Sequence, residues 1–183
     1  MLDPIKPHGG TLINRVLRGE EKEAAESGAR ELKKIVLNAR ALSDLELISV
    51  GAFSPLEGFM GREEYERVVF EMRLLSGLPW TLPITLAVDE EDAKELKEGE
   101  EVTLLEPSGE IVGLLELRER YGYDKREEAW NVYKTDEEKH PGVSYLYRRG
   151  EILLGGNVSL LKQPSLKGFE AYTLEPVDTR AII

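Results

Sequence analysis

Trp80-Thr81-Leu82-Pro83-Ile84-Thr85-Leu86-Ala87-Val88 is where the sequence changes its period. Before it, apolar residues recur at helical spacing, as Tyr65, Val68, Val69 and Met72 do in a helix expected over Gly61 to Arg73. From Trp80 they alternate and β-branched residues become frequent, the pattern of a strand with one buried face. Pro83 has no N–H to give a ladder, which places the start of that strand on a sheet edge. Helices first and strands afterwards predict an α+β fold whose sheet is mostly antiparallel and barrel-like.

Upstream of that switch, Pro4, Pro7 and the Gly9-Gly10 pair make residues 1–12 an irregular lead-in. Glu20 to Lys34 is rich in helix formers, and Ile35-Val36-Leu37 reads as a short buried strand. Ser43 with Glu46 forms a capping box for a second helix, with Leu42, Leu45 and Ile48 on its apolar side and Gly51 at its end.

Downstream, the acidic run from Asp89 opens a short helix. Glu101 to Glu106 and Glu110 to Leu117 flank Pro107-Ser108-Gly109 as a hairpin. Short helices are expected over Asp124 to Tyr133 and Val143 to Arg149. Ile152 to Leu154 and Val158 to Leu161 surround Gly155-Gly156, where a bulge or tight bend is expected. Phe169 to Leu174 is read as a last strand. Pro176 and Asp178 are helix-start chemistry, but the sequence reaches Ile183 too soon for a helix that is stable alone. The expected division is therefore a domain over 1–175, with 176–183 opening a linker or first helix toward a following domain.

Composition excludes several function classes. The 183 residues carry 24 Lys+Arg against 35 Asp+Glu, a net charge of −11. Asp89 to Glu101 alone holds eight acids and two lysines. Such a surface repels phosphate backbones, which argues against nonspecific nucleic-acid binding. With no cysteine there is no disulfide, thiolate metal site or cysteine nucleophile, and two histidines cannot make a three-His zinc site. No run of about 18 apolar residues exists, and residues 1–7 lack the charge and apolar regions of a secretory signal. The expected location is the cytoplasm, with no membrane partner.

Catalytic signatures are also missing. The sequence has no Walker A, G-x-G-x-x-G, G-x-S-x-G or H-E-x-x-H pattern. Leu154-Gly155-Gly156-Asn157 lacks the Lys and Ser/Thr of a phosphate loop. His8 and His140 sit one per loop without a visible orienting partner, which favours structural hydrogen bonding over acid–base work. Two stretches, Arg118 to Arg126 and Tyr145 to Arg149, interleave aromatics with cations as RNA-stacking platforms do. The competing reading has their tyrosine hydroxyls at the surface and their arginines paired with glutamates, and the global charge favours it.

Several loops, taken together, resemble the N-terminal part of ATP sulfurylase (sulfate adenylyltransferase). They are Pro7-His8-Gly9-Gly10 with Leu12 and Arg15, then Asp44 to Ile48 running into Gly51-Ala52-Phe53-Ser54-Pro55-Leu56-Glu57-Gly58-Phe59-Met60. Trp80 to Ile84, His140-Pro141-Gly142-Val143 and Pro176 to Arg180 follow in the family's order. The resemblance implies a PUA-like β-barrel domain followed by a separate nucleotidyltransferase domain. That second domain uses MgATP and sulfate to make adenosine 5′-phosphosulfate and pyrophosphate. Its hallmark Q-T-R-N-P, H-x-x-H and G-R-D-H segments do not occur here.

This chain is therefore expected to be non-catalytic, to hold no cofactor or metal, and to support the catalytic domain of the same enzyme, which as full length is expected to be a homo-oligomer. Phe53, Pro55, Phe59 and Met60 in the Gly/Pro loop, with His140 and Pro141, are the candidate docking residues, since buried aromatic anchors are what interfaces use. The alternatives are a stand-alone PUA-like RNA-binding module and a regulatory module sensing a small anionic ligand.

Overall fold

The computed structural model of the chain describes residues 5–163 and 174–182. Its elements are α1 (Gly19–Ala29), β1 (Lys34–Val36), α2 (Ala39–Ser49), β2 (Gly58–Phe59), α3 (Arg62–Glu71), β3 (Leu86–Val88) and α4 (Glu90–Lys94). They continue with β4 (Glu101–Leu105), β5 (Ile111–Gly122), α5 (Lys125–Glu128), α6 (Pro141–Tyr147), β6 (Ile152–Leu160) and α7 (Pro176–Ile182). The strands hydrogen-bond in the order β1-β4-β5-β6-β2, with β3 also on β6. The α+β class and the mostly antiparallel sheet agree with the sequence; β1, which runs parallel to β4, departs from the antiparallel rule. The expected strand over Phe169 to Leu174 falls, apart from Leu174, outside the described residues.

The chain forms two compact units. The first comprises the described residues of Met1–Gly58, Glu101–Glu116 and Asn157–Ile183. Here Lys34–Val36 pairs with Thr103–Leu105, and β4 pairs with β5 from Glu101↔Glu116 onward, with an irregularity between Leu104 and Leu105. That ladder is the hairpin expected around Pro107-Ser108-Gly109, and Gly109 supplies its positive φ of 89°. Thr103, fully buried, donates its hydroxyl to the Ala29 carbonyl at 2.6 Å, tying the sheet to the end of α1.

Helix α2 begins earlier than expected. Asn38, not Ser43, is its N-cap: extended at φ −76° and ψ 170°, it accepts from the N–H groups of Arg40 and Ala41. Ser43 and Glu46 lie inside the helix, and Ala41, Leu45 and Ile48 form its buried face. After α2, Gly51 turns the chain at φ 84°; a Cβ there would stand 2.2 Å from the Ile13 carbonyl oxygen. The Ser54 hydroxyl donates to the Gly51 carbonyl at 2.7 Å and accepts from the Ile13 N–H at 3.0 Å.

The second unit comprises Phe59–Glu100 and Leu117–Gly156. Only Leu86–Val88 of the Trp80 stretch enters a ladder, pairing antiparallel with Leu154 to Ile152. Before Leu86 the chain bonds singly: the Trp80 N–H goes to the Met72 carbonyl, and the Ile84 carbonyl receives the Met60 N–H. Pro79 and Pro83, lacking N–H donors, leave no continuous ladder there.

Strand β6 runs unbroken through Gly155 and Gly156, correcting the expected bulge or bend. Gly155 serves close approach instead: a Cβ on it would lie 2.6 Å from Gly61 Cα and 2.9 Å from the Met60 carbonyl oxygen. Gly61 is the N-cap of α3, and Tyr65, Val68 and Val69 are that helix's buried residues, as their spacing predicts. Met72 instead closes α3 in the left-handed conformation, at φ 54°.

Candidate functional site

The second unit contains a cleft of about 540 Å³ between α3, the end of β5 and the start of α5. Strand alternation explains its rings: Tyr121 and Tyr123 are two residues apart on β5 and its continuation, so both face the same side. Tyr65 comes from the buried face of α3. Its ring centroid is 5.8 Å from that of Tyr121 and 6.1 Å from that of Tyr123, the latter pair edge-on.

A carboxylate lies among the rings. Asp124 caps α5 by accepting from the N–H groups of Arg126 and Glu127. Directly after Glu128 the helix widens into a π turn over Ala129–Tyr133. Glu128 is only 2% exposed, while Trp130, two residues on, is 61% exposed. The Tyr65 hydroxyl donates to Glu128 Oε2 at 2.9 Å. Arg149, after α6, places Nη1 3.9 Å from Glu128 Oε1 and donates from Nη2 to the Thr85 carbonyl at 3.2 Å.

Cations lie over the rings. The Arg62 guanidinium is 5.2 Å from the Tyr121 ring, Arg149 is 5.8 Å from Tyr123 and 5.9 Å from Tyr145, and Lys125 Nζ is 6.0 Å from Tyr123. These cations also hold acids: Lys125 with Glu151 at 2.6 Å, Arg126 with Asp136 at 3.1 Å and Arg62 with Glu119 at 3.8 Å.

Burial raises the Glu128 pKa; Arg149 and the Tyr65 hydroxyl oppose it. Burial likewise pushes all three tyrosines well above their ordinary value, with the Glu128 charge as a further cause at each. The phenols therefore stay protonated and donate; they are not poised as bases or nucleophiles. Among the described residues, no group of three His, Cys, Asp or Glu converges to hold a metal ion. No helix among them is long and apolar enough to cross a membrane.

The six docking candidates differ in burial and in the unit to which they belong. Phe53 and Pro55 are half-buried in the first unit. Phe59 and Met60, each 3% exposed, are core residues of the second unit, so their apolar surface is already covered by the chain itself. His140 and Pro141 are exposed at the start of α6, where Pro141 takes the first helical position and the His140 ring sits 5.0 Å from Tyr133.

The two tyrosine/arginine stretches do converge, Arg149 lying over the Tyr123 ring, and their Lys125, Arg126 and Arg149 each pair with an acid. One detail differs from that reading: the hydroxyls of Tyr121 and Tyr123 point to the Met60 and Gly150 carbonyls, at 2.7 and 3.0 Å, and not to the surface. Sequence reasoning missed Glu128 and read Tyr65 only as a core residue of α3. Glu128 lies in the polar run Lys125-Arg126-Glu127-Glu128, which gives no signal of burial.

A family model described as "PUA-like domain" matches residues 5–163. The chain is 48% identical over 180 residues to a protein of Microcystis aeruginosa named sulfate adenylyltransferase, covering 98% of this chain and 46% of that one. It is 49% identical over 178 residues to a protein of Trichormus variabilis of the same name, covering 97% and 45%. The chain thus spans less than half the length of these curated relatives and corresponds to their N-terminal part. Among solved structures it is similar to the hexameric APS kinase from Thiobacillus denitrificans, with a TM-score of 0.76 and 28% identity, over 98% of this chain and 31% of that one.

Proposed function

The chain belongs to the PUA-like domain family, and from that premise we propose that it is the non-catalytic N-terminal domain of a sulfate adenylyltransferase, packing against and supporting the catalytic domain. The observation that carries this reading is the 48% identity over 98% of this chain to less than half of an enzyme of that name.

The proposed parent reaction joins a sulfate oxygen to the α-phosphorus of ATP and releases pyrophosphate. Transfer of that kind needs cationic donors and Mg²⁺ gathered on the phosphates. Here the cations of the cleft are spent on internal acids, and its phenols are held protonated. MgATP and sulfate therefore belong to the rest of the enzyme, in the cytoplasm. A homo-oligomeric full-length enzyme is supported by the structural relative, which is a hexamer.

The docking role falls to the accessible candidates, Phe53, Pro55, His140 and Pro141, while Phe59 and Met60 act by holding their own unit together. Pyrophosphate release from ATP and sulfate tests the reading. It is expected from a full-length enzyme carrying this sequence and not from residues 1–183 alone.

A further inference from the structure

Strand β5 borders a second, smaller pocket on the face opposite the Tyr121 and Tyr123 rings. Arg120 and Gly122 are two residues apart on the strand and share that face. The Arg120 guanidinium reaches across to α4, donating from Nη1 to the Ala93 carbonyl at 2.5 Å. The pocket beside them has a volume of about 320 Å³ and is lined also by Arg62, Glu90, Lys94 and Ile152. That size falls at the small end of small-molecule sites.

Its charge is opposite to that of the chain. Three bases face one acid, Glu90, in a molecule of net charge −11. Arg62 is shared with Glu119 at 3.8 Å and Glu66 at 4.0 Å. The other two bases are not committed to acids. The Lys94 ammonium takes part in no hydrogen bond or ion pair among the described residues, and the Arg120 guanidinium holds a carbonyl. The neighbouring Glu98 carboxylate accepts from the Arg120 backbone N–H at 2.9 Å. The remaining guanidinium N–H groups of Arg120 form a planar fork that suits two oxygens of one oxyanion, and Lys94 adds a point charge. Repulsion from acids farther away on the surface is screened beyond about 10 Å at 0.1 M salt.

No close backbone demands glycine at position 122. A Cβ there would meet nothing nearer than the Glu151 carbonyl oxygen at 4.0 Å, and its φ lies outside the left-handed region. At Gly113 of the same strand a Cβ would stand 2.6 Å from the Ser159 carbonyl oxygen. The bare backbone at Gly122 keeps the pocket open beside Arg120, as glycine in a strand does where a ligand approaches closely.

We propose that this pocket binds a small molecule through a tetrahedral oxyanion, free phosphate or a phosphate monoester. Arg120 and Lys94 hold the oxyanion, and any carbon body lies over Gly122 and Ile152. The site is independent of the proposed role beside a catalytic domain.

Sodium phosphate and glycerol 3-phosphate, titrated into the 183-residue chain at constant ionic strength against sodium chloride, test it by calorimetry and melting temperature. Saturable binding of at least one is expected; tighter binding of glycerol 3-phosphate assigns the site to a monoester, and equal binding to the free ion. Arg120→Gln and Lys94→Glu are each expected to weaken binding about tenfold or more by removing a charge-assisted contact. Should Arg120→Gln fail to fold, Lys94→Glu, at an exposed position without a partner, still decides. Gly122→Val is expected to fill the pocket and abolish binding while the unliganded variant melts close to the parent. Three results would overturn the proposal: neither phosphate saturating, sodium chloride alone giving the same stabilisation, or Lys94→Glu and Gly122→Val binding as tightly as the parent chain.

Discussion

The Tyr65 hydroxyl, on α3, donates to Glu128 Oε2 across 2.9 Å, and both residues are buried at 6% and 2% exposure. This bond joins the helix that follows Gly61 to the last residue of α5. Removing the donor while keeping the ring leaves a buried carboxylate less satisfied, which costs roughly 1–3 kcal/mol. Urea unfolding of Tyr65→Phe is expected to show a loss of that size; an unchanged midpoint would mean the bond contributes nothing net.

Glu128 also gives the fold a pH dependence of definite sign. Burial raises its pKa above the ordinary 4.5, so the folded chain holds this proton more tightly than the unfolded chain. The contribution is fully present below the unfolded value and is lost as pH rises through the higher folded value. Replacing Glu128 by Gln removes this titration. The stability of Glu128→Gln relative to the parent chain is therefore expected to improve as pH rises from 4.5 toward neutrality. A flat or falling difference across that window would contradict it.

Gly155 is where two backbones meet. A methyl group on it would lie 2.6 Å from Gly61 Cα, with backbone nitrogen and oxygen atoms at 2.9 Å and no flexible side chain to move aside. Overpacking of this kind costs about 1–3 kcal/mol, and backbone neighbours place Gly155→Ala at the upper end. Thermal unfolding is the measurement. A melting temperature equal to the parent's would show that the strand shifts without strain.

The docking candidates divide by burial, and their variants should divide likewise. Phe59→Ala in the chain alone is expected to cost about 3–5 kcal/mol, the usual loss for a buried aromatic. His140→Ala, at an exposed position, is expected to stay within about 0.5 kcal/mol. Denaturant midpoints of the two variants read this directly. Equal losses would contradict the separation of core from surface.

These contrasts also mark what the sequence could convey. The α3 face, the hairpin at Pro107-Ser108-Gly109 and the start of a helix at Pro176 were legible because spacing and turn chemistry are local. The capping box at Ser43 was locally valid, yet Asn38 won because it reaches two N–H groups from an extended backbone one turn earlier. Gly155-Gly156 looked like a bend because the close neighbour that requires glycine, Gly61, is ninety-four residues away in sequence. Phe59 and Met60 read as docking residues of a rigid Gly/Pro loop, and nothing in the local sequence marks them as core. The aromatic and cationic character of the cleft could be seen in advance, but Glu128 could not, since it is buried at the end of the polar run Lys125-Arg126-Glu127-Glu128, where local sequence gives no sign of burial.

Sulfate-dependent pyrophosphate release from MgATP, measured side by side for residues 1–183 and for a full-length enzyme carrying the same residues, tests the central claim most directly. The expected result is activity in the full-length enzyme and none in the 183-residue chain, because the cations of its cleft are committed to Glu119, Glu151 and Asp136. Turnover by the 183-residue chain itself would contradict the account.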